Sequence, residues 1–253
     1  MIDNFSLKPG EKLDFSLFFQ VSKTRRINLG EAKVSFERLE IPEREKEDLG
    51  KLTVDLTIDS KFEVINSHFQ GFEIIDTKFN STIRSNYVIK DKKRTVYQKI
   101  NFDPSKSKVN IDETFERNDG RGERPLTNVF LKGPPQFYDY LALLYKLRSL
   151  ELRQSEIVSL AVLYYNHLYP ILVEYQFNEK KEHNNTKVEC RVYRLRSNRG
   201  KLPPLRKQFE LQSASVWISN DENRLPIYVE INTQKGNLVA ELKRFLPPKK
   251  SDS

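Results

Sequence analysis

Hydrophobic and polar residues alternate with a period of two along most of the chain. Leu13, Phe15, Leu17, Phe19 and Val21 are separated by mostly polar neighbours, the pattern of a strand with one face buried. Lys33-Val34-Ser35-Phe36-Glu37 repeats it after Gly30, and Leu52, Val54, Leu56 and Ile58 alternate with Thr53, Asp55, Thr57 and Asp59. The same reading predicts strands over 82–90, 94–102, 107–115, 157–165, 169–178, 186–195, 208–219, 226–233 and 237–245. Between them lie turn-forming residues such as Asp103-Pro104-Ser105, Asn184-Asn185, Asn220-Asp221 and Lys235-Gly236-Asn237. Successive strands joined by short turns pair antiparallel, so the expected fold is mainly β, an antiparallel barrel or a strongly curved meander. Residues 1–246 are expected to form one barrel-like domain, and 247–253 a flexible tail.

Two segments depart from the alternation. Phe62, Ile65 and Phe69 fall at helical intervals before Gly71, which predicts a short helix near 61–70. Residues 135–152 predict a long buried helix, opened by Pro134 and Pro135, where a missing N–H costs nothing. Its apolar residues (Phe137, Tyr138, Tyr140, Leu141, Leu143, Leu144, Tyr145, Leu147) run almost all round, so more than one side must be covered. With Tyr138, Leu141, Leu144 and Tyr145 facing the sheet, the helix either plugs the barrel or lines a cavity beside it. These four and Arg148 are the candidate ligand-binding residues. Residues 116–134 show little periodicity and contain Gly120, Gly122 and Gly133, which predicts an irregular, movable lead-in to the helix. Residues 40–50 read as a mixed-charge hairpin tip.

Composition sharpens this picture in a few places. The hydrophobic fraction is only 38%, but 16 Phe, 11 Tyr and 1 Trp bury large areas each, so a real core is expected. The net charge of +8 favours acidic partners such as anionic lipid or acidic glycan. Because that charge is spread along the chain, nucleic acid is a weaker expectation. A single cysteine, Cys190, excludes an intrachain disulfide and a Cys-rich zinc site. No apolar run reaches the roughly 18–20 residues of a spanning helix, and Met1 is not followed by a basic and then apolar leader. On those grounds alone the protein is expected in the cytoplasm, unless a signal segment has been removed.

The search for chemistry returns little. His68, His167 and His183 lie in unrelated contexts without metal-ligand spacing, and no Gly-x-Ser-x-Gly elbow or phosphate-cradling loop is present. Cys190 shares a strand face with Val188 and Val192 and reads as a small buried hydrophobe. Neither a catalytic set nor a metal or cofactor is therefore expected. The strongest local feature is basic: Lys180, Lys181, Lys187, Arg191, Arg194, Arg196, Arg199 and Lys201 stand against Glu179, Glu182 and Glu189. Arg191, Tyr193, Arg194, Arg196 and Arg199 are the candidate face for an anionic partner, since guanidinium forks suit phosphate and carboxylate. The apolar parity of Val188, Cys190 and Val192 continues as Arg194 and Arg196, so either a bulge intervenes or the strand leaves the core.

Val216-Trp217-Ile218-Ser219-Asn220-Asp221-Glu222-Asn223-Arg224-Leu225-Pro226-Ile227, followed by Gly236 and Val239-Ala240-Glu241-Leu242, resembles the end of bacterial domain-of-unknown-function family 3108. Asp139 through Tyr145 with Arg148 resembles its helix, and Gly10-Glu11-Lys12-Leu13-Asp14-Phe15 its opening strand. The resemblance implies an exported, periplasmic or lipid-anchored envelope protein with a barrel-like β fold, and it brings no catalytic residues. Within the turn, Asp221, Arg224 and Pro226 are structural candidates: Pro226 holds Leu225 extended, and Asp221 is placed to pair with Arg224. The function expected is non-catalytic binding of an apolar or anionic envelope component. The alternative is a cell-wall or partner-protein module using a basic outer face.

Overall fold

The computed structural model describes residues 8–22, 24–39, 48–59, 66–78, 81–103, 108–117, 123–132, 136–164, 167–197, 202–206 and 209–248. The N-terminal half is a meander of eight strands: β1 (Lys12–Gln20), β2 (Arg26–Leu39), β3 (Leu49–Asp59), β4 (Asn66–Asp76), β5 (Ser81–Asp91), β6 (Arg94–Asp103), β7 (Lys108–Arg117) and β8 (Glu123–Lys132). Helix α1 (Tyr140–Ser149) follows, then β9 (Ile157–Tyr164), β10 (His167–His183), β11 (Thr186–Ser197), β12 (Leu202–Arg206), β13 (Phe209–Ser219), β14 (Pro226–Thr233) and β15 (Gly236–Leu246). All strand pairs are antiparallel. The sheet runs β8-β7-β6-β5-β4-β3-β2-β1-β15-β14-β13-β11-β10-β9, with β12 on β13. The chain thus walks from β1 out to β8, crosses through α1 to the opposite end at β9, and returns to close on β1 through β15.

The sheet is not a closed barrel: among the described residues no pairing joins β8 to β9. It is nevertheless strongly curved. β5 and β9 lie ten strands apart in the sheet order, roughly 48 Å if flat. Yet the short segment between β8 and α1 bonds to both. The Phe137 carbonyl accepts from Thr82 N–H on β5, while Tyr138 N–H donates to Ala161 O and its carbonyl accepts from Leu163 N–H on β9. The sheet has curled until these two residues span its two arms.

Alternation places Leu13, Phe15, Val34, Phe36, Leu52, Val54, Tyr87 and Ile100 on the concave face, where they pack with Phe137, Leu141, Ala142 and Tyr145. Gly71 belongs to the same face, and a Cβ there would lie 2.4 Å from the Tyr87 ring, so its missing side chain makes room for that ring.

The helix is shorter than the expected 135–152. Its first predicted turn is unwound because residues 137 and 138 give their backbone groups to β5 and β9. At the other end, Tyr193 hydroxyl and the Arg191 guanidinium take the carbonyls of Leu150 and Leu152. The expected short helix near 61–70 is overturned where it can be seen: 66–70 open strand β4, with Phe69 against Tyr87 on one face and His68 on the other. The other two residues that suggested a helix, Phe62 and Ile65, lie outside the described residues. The irregular lead-in is corrected where it can be seen, while Gly120, Gly122 and Gly133 lie outside the described residues. Residues up to 117 complete β7 and 123–132 form β8, paired to β7 through a register shift at Glu113/Thr114. The tip at 40–47 and the tail from 249 lie outside the described residues.

Candidate functional site

Helix α1 is held at each end by a buried polar cluster. At its start the carboxylate of Glu73, from β4, acts as a cap supplied from another element. Its Oε1 accepts from Tyr87 hydroxyl (2.5 Å) and Leu141 N–H (2.8 Å). Its Oε2 accepts from Ala142 N–H (3.0 Å) and, at longer range, Thr82 hydroxyl (3.4 Å). The first N–H groups of a helix lack partners within it, so this carboxylate satisfies two of them. Asp139, one residue before the helix, accepts from Ser85 hydroxyl (2.8 Å) and gives its N–H to Thr82 Oγ1 (2.8 Å). Burial and then the neighbouring Asp139 charge push Glu73 up to about 8, against the hydrogen bonds from Tyr87, Leu141 and Ala142, which pull it down.

At the helix end Arg148 forks onto Glu11 of the segment before β1, with Nη1–Oε1 2.5 Å and Nη2–Oε2 3.0 Å. Both side chains are 1% exposed. Arg148 Nε and Nη2 also donate to the carbonyls of Arg224 and Asn223, both at 3.0 Å, and its guanidinium lies 4.8 Å from the Tyr145 ring centre. Burial and Glu11 hold the Tyr145 hydroxyl well above its usual range. One cation thereby ties β1, α1 and the β13–β14 turn together.

That turn is built differently from the expected Asp221–Arg224 ion pair. Asp221 Oδ1 accepts from Ser219 hydroxyl and from the N–H groups of Asn223 and Arg224, and Arg224 adopts a left-handed φ of 45°. The Arg224 guanidinium turns away to Glu151 and the Arg148 carbonyl. Asp221 thus holds the turn through its backbone N–H groups, and Pro226 is buried at the start of β14.

Most of the expected ligand residues belong to this packing. Leu141, Tyr145 and Arg148 are buried in the core, Arg148 as half of an ion pair. Leu144 is half-buried and does not face the sheet core as expected, whereas Ala142 and Leu147 do. Tyr138, also buried, lines a cavity. With Gln136, Ser159, Leu160, Ala161, Leu168, Tyr169 and Pro170 it lines an open, mainly apolar cleft of about 560 Å³ at the β9 end of the sheet.

The expected basic face divides in two. Arg191 lies 4.6 Å over the Tyr175 ring, and Tyr193 is buried with its hydroxyl on Leu150 O (2.8 Å), both on the helix side of β11. Arg194 and Arg196 are exposed on the opposite face, Arg196 with Glu174 at 4.0 Å; Arg199 lies outside the described residues. β11 keeps an unbroken register with β13, so Cys190 and Val192 share a face with Arg194 and Arg196, and that face passes from covered to open along the strand; the register slip lies in β10, between Tyr175 and Phe177. Cys190 is fully buried, and burial raises its thiol to about 11, consistent with a packed hydrophobe and not a nucleophile.

Opposite the helix, Trp217 and Tyr228 pack edge to face at 5.0 Å beneath Lys181, whose Nζ is 4.5 and 3.9 Å from their ring centres, while Glu179 accepts from Trp217 Nε1 at 2.6 Å. The sequence carried no signal for this cluster beyond a lone Trp in a strand. No helix of the described residues is long and apolar enough to cross a membrane, and no group of three or more His, Cys, Asp or Glu among them is placed to hold a metal ion.

No curated protein matches the chain. Among solved structures it is similar to a β-barrel-like protein of domain of unknown function DUF1849 from Brucella abortus. The TM-score is 0.55 at 9% identity, over 96% of this chain and 99% of that one, a likeness of fold alone. The model of the protein family of unknown function DUF3108 matches residues 19–243, and the chain belongs to that family.

Proposed function

We propose that this chain is a non-catalytic binding protein of the bacterial cell envelope, and that it takes an apolar segment of its ligand in the cleft beside Tyr138. The observation that carries this is the cleft itself. Leu168, Pro170, Ala161 and Tyr169 form an accessible apolar surface next to the buried Tyr138, beside a few polar groups, Gln136 and Ser159, the composition ligand sites favour. The location follows what DUF3108 resemblance implies, and the surplus of positive charge suits a compartment rich in anionic headgroups. The buried carboxylates support binding over chemistry: Glu73, Asp139, Ser85 and Thr82 are each at most 1% exposed, sealed from substrate by the core they hold together.

Filling the cleft tests the reading. Ala161→Trp occupies it while leaving the Ala161 carbonyl to accept from Tyr138 N–H. The fluorescent apolar probe N-phenylnaphthylamine should bind the native protein, and the variant about tenfold more weakly. Equal binding by both proteins overturns the assignment of the cleft.

A further inference from the structure

We infer that the occupant of this cleft is an extended polypeptide segment, docked as an added strand on the edge of β9; the inference rests on the cleft reading above. β9 ends the sheet, and its backbone groups alternate in direction along the strand. Tyr175 N–H donates to Glu156 O toward β10, whereas Ala161 O and Leu163 N–H point the other way, to Tyr138. By the same alternation the N–H and C=O groups of Ile157 and Ser159 face the open edge. Among the described residues no strand pairs there.

The chain itself shows that this edge accepts a strand. Tyr138 forms a parallel bridge with Val162, with both hydrogen bonds near-ideal at 2.9 and 2.8 Å. Among the described residues the pairing does not continue toward the start of β9. Gln136 instead joins Ser159 in lining the cleft, and Ile157 stands 45% exposed beyond it. A docked segment continues the pairing that Tyr138 begins, its backbone meeting Ile157 and Ser159 and alternate side chains entering the apolar surface of Ala161, Leu168 and Pro170. Strand addition divides recognition in this way, backbone bonds for affinity and pockets for side-chain choice.

The open run also argues for a peptide against a second copy of this chain. Residues 157–160 span roughly 13 Å, too little edge to bury the ~1,000 Å² that a stable dimer needs. A lipid tail fits the apolar surface but makes no use of the Ile157 and Ser159 amides.

The probes are acetylated, amidated heptapeptides alternating Thr with Val, Leu, Phe or Tyr, titrated into the full chain and followed by backbone amide NMR. At least one should give saturable shifts concentrated at Ile157 and Ser159, and N-methylation of alternate peptide amides should weaken it about tenfold or more. Ile157→Pro removes an edge N–H at the first residue of an outer strand, where proline is tolerated. It should abolish peptide binding and keep N-phenylnaphthylamine binding, because Ile157 does not line the cleft. If N-phenylnaphthylamine binds at the cleft and every peptide fails, strand addition is overturned and the cleft reading stands. If neither binds, the cleft reading falls and this inference with it. Peptide binding indifferent to N-methylation and to Ile157→Pro also overturns it, as does a concentration-dependent dimer that Ile157→Pro dissolves.

Discussion

Helix α1 ends on buried charge at both termini, and the two termini compensate that charge by different means. At the C-terminal end an opposite pair does it: Arg148 meets Glu11 through two hydrogen bonds and spends its other donors on the carbonyls of Asn223 and Arg224. At the N-terminal end Glu73 meets hydroxyls and helix N–H groups with a second carboxylate, Asp139, alongside. The first arrangement needs both partners charged. The second is easier to hold with one proton on the pair, because two like charges in one dry site repel. The contrast teaches which end is sensitive to mutation of one partner and which to pH.

The largest effect is expected where a partner is removed. Arg148→Leu leaves Glu11 buried without its cation and frees two turn carbonyls, which should cost about 3–5 kcal/mol in urea unfolding. Joining it with Glu11→Leu should recover a good part of that loss, since an apolar pair of similar volume avoids the desolvation of both ions. If the double variant is no more stable than Arg148→Leu, the turn carbonyls and not the ion pair dominate this end.

Glu73→Gln sharpens the other side of the comparison. The amide keeps one acceptor, turns the second into a donor among donors, and should cost about 1–3 kcal/mol. Its more telling effect is on pH. A carboxyl raised in the fold from 4.5 to about 8 adds most stability below its unfolded value, and that stability is lost as pH rises through the folded value. Native Tm should therefore carry a downward component between about pH 4.5 and 8 that Glu73→Gln lacks. Parallel Tm profiles for the two proteins refute the shared proton.

These two ends were unequally visible in the sequence. Strict alternation marked β1, β2, β3 and the strands from β5 to β7, because their inward positions are hydrophobic. β4 escaped it because two of its inward positions are Gly71, which clears space for Tyr87, and Glu73, which caps a helix 68 residues later. The one trace was an acid inside the apolar run Phe72-Glu73-Ile74-Ile75. β8 escaped because Pro125 and a register shift break its period. Glu11, Arg148 and Arg224 all appeared in the family resemblance, yet their contacts span up to 137 residues and no local spacing reveals them. The cleft was half legible. Tyr138 was read as a helix residue facing the sheet, and its real role follows from the extended geometry that β5 and β9 impose on it.

Between the two anchored ends the helix matters less. Leu144 is half-buried, on a part of α1 that neither cluster uses. Leu144→Ala should cost roughly 1 kcal/mol, below the 2–5 of a fully buried leucine, because less apolar area leaves water on folding. It should leave the pH component set by Glu73 unchanged. A loss as large as that of Arg148→Leu means the middle of the helix, and not its ends, carries the anchoring.

The smallest effect is expected from arginines that make the opposite use of the same side chain. Arg148 is buried and donates four hydrogen bonds, whereas Arg194 and Arg196 stand on the outer face of β11, with Glu174 4.0 Å from Arg196. Exposed pairs at such distance are worth little, since water and salt screen them and ordering two long side chains costs entropy. Replacing both with Gln should shift stability by less than about 0.5 kcal/mol. What such arginines offer is long-range attraction, which acts over about 8 Å at 0.15 M salt and fades above it. Binding to vesicles of anionic phospholipid should thus weaken in the double variant at low salt and converge with the native protein at high salt. If the variant and the native protein bind alike at low salt, the face of β11 contributes no attraction. A variant that also loses N-phenylnaphthylamine binding connects the two surfaces, which β10 separates in the sheet.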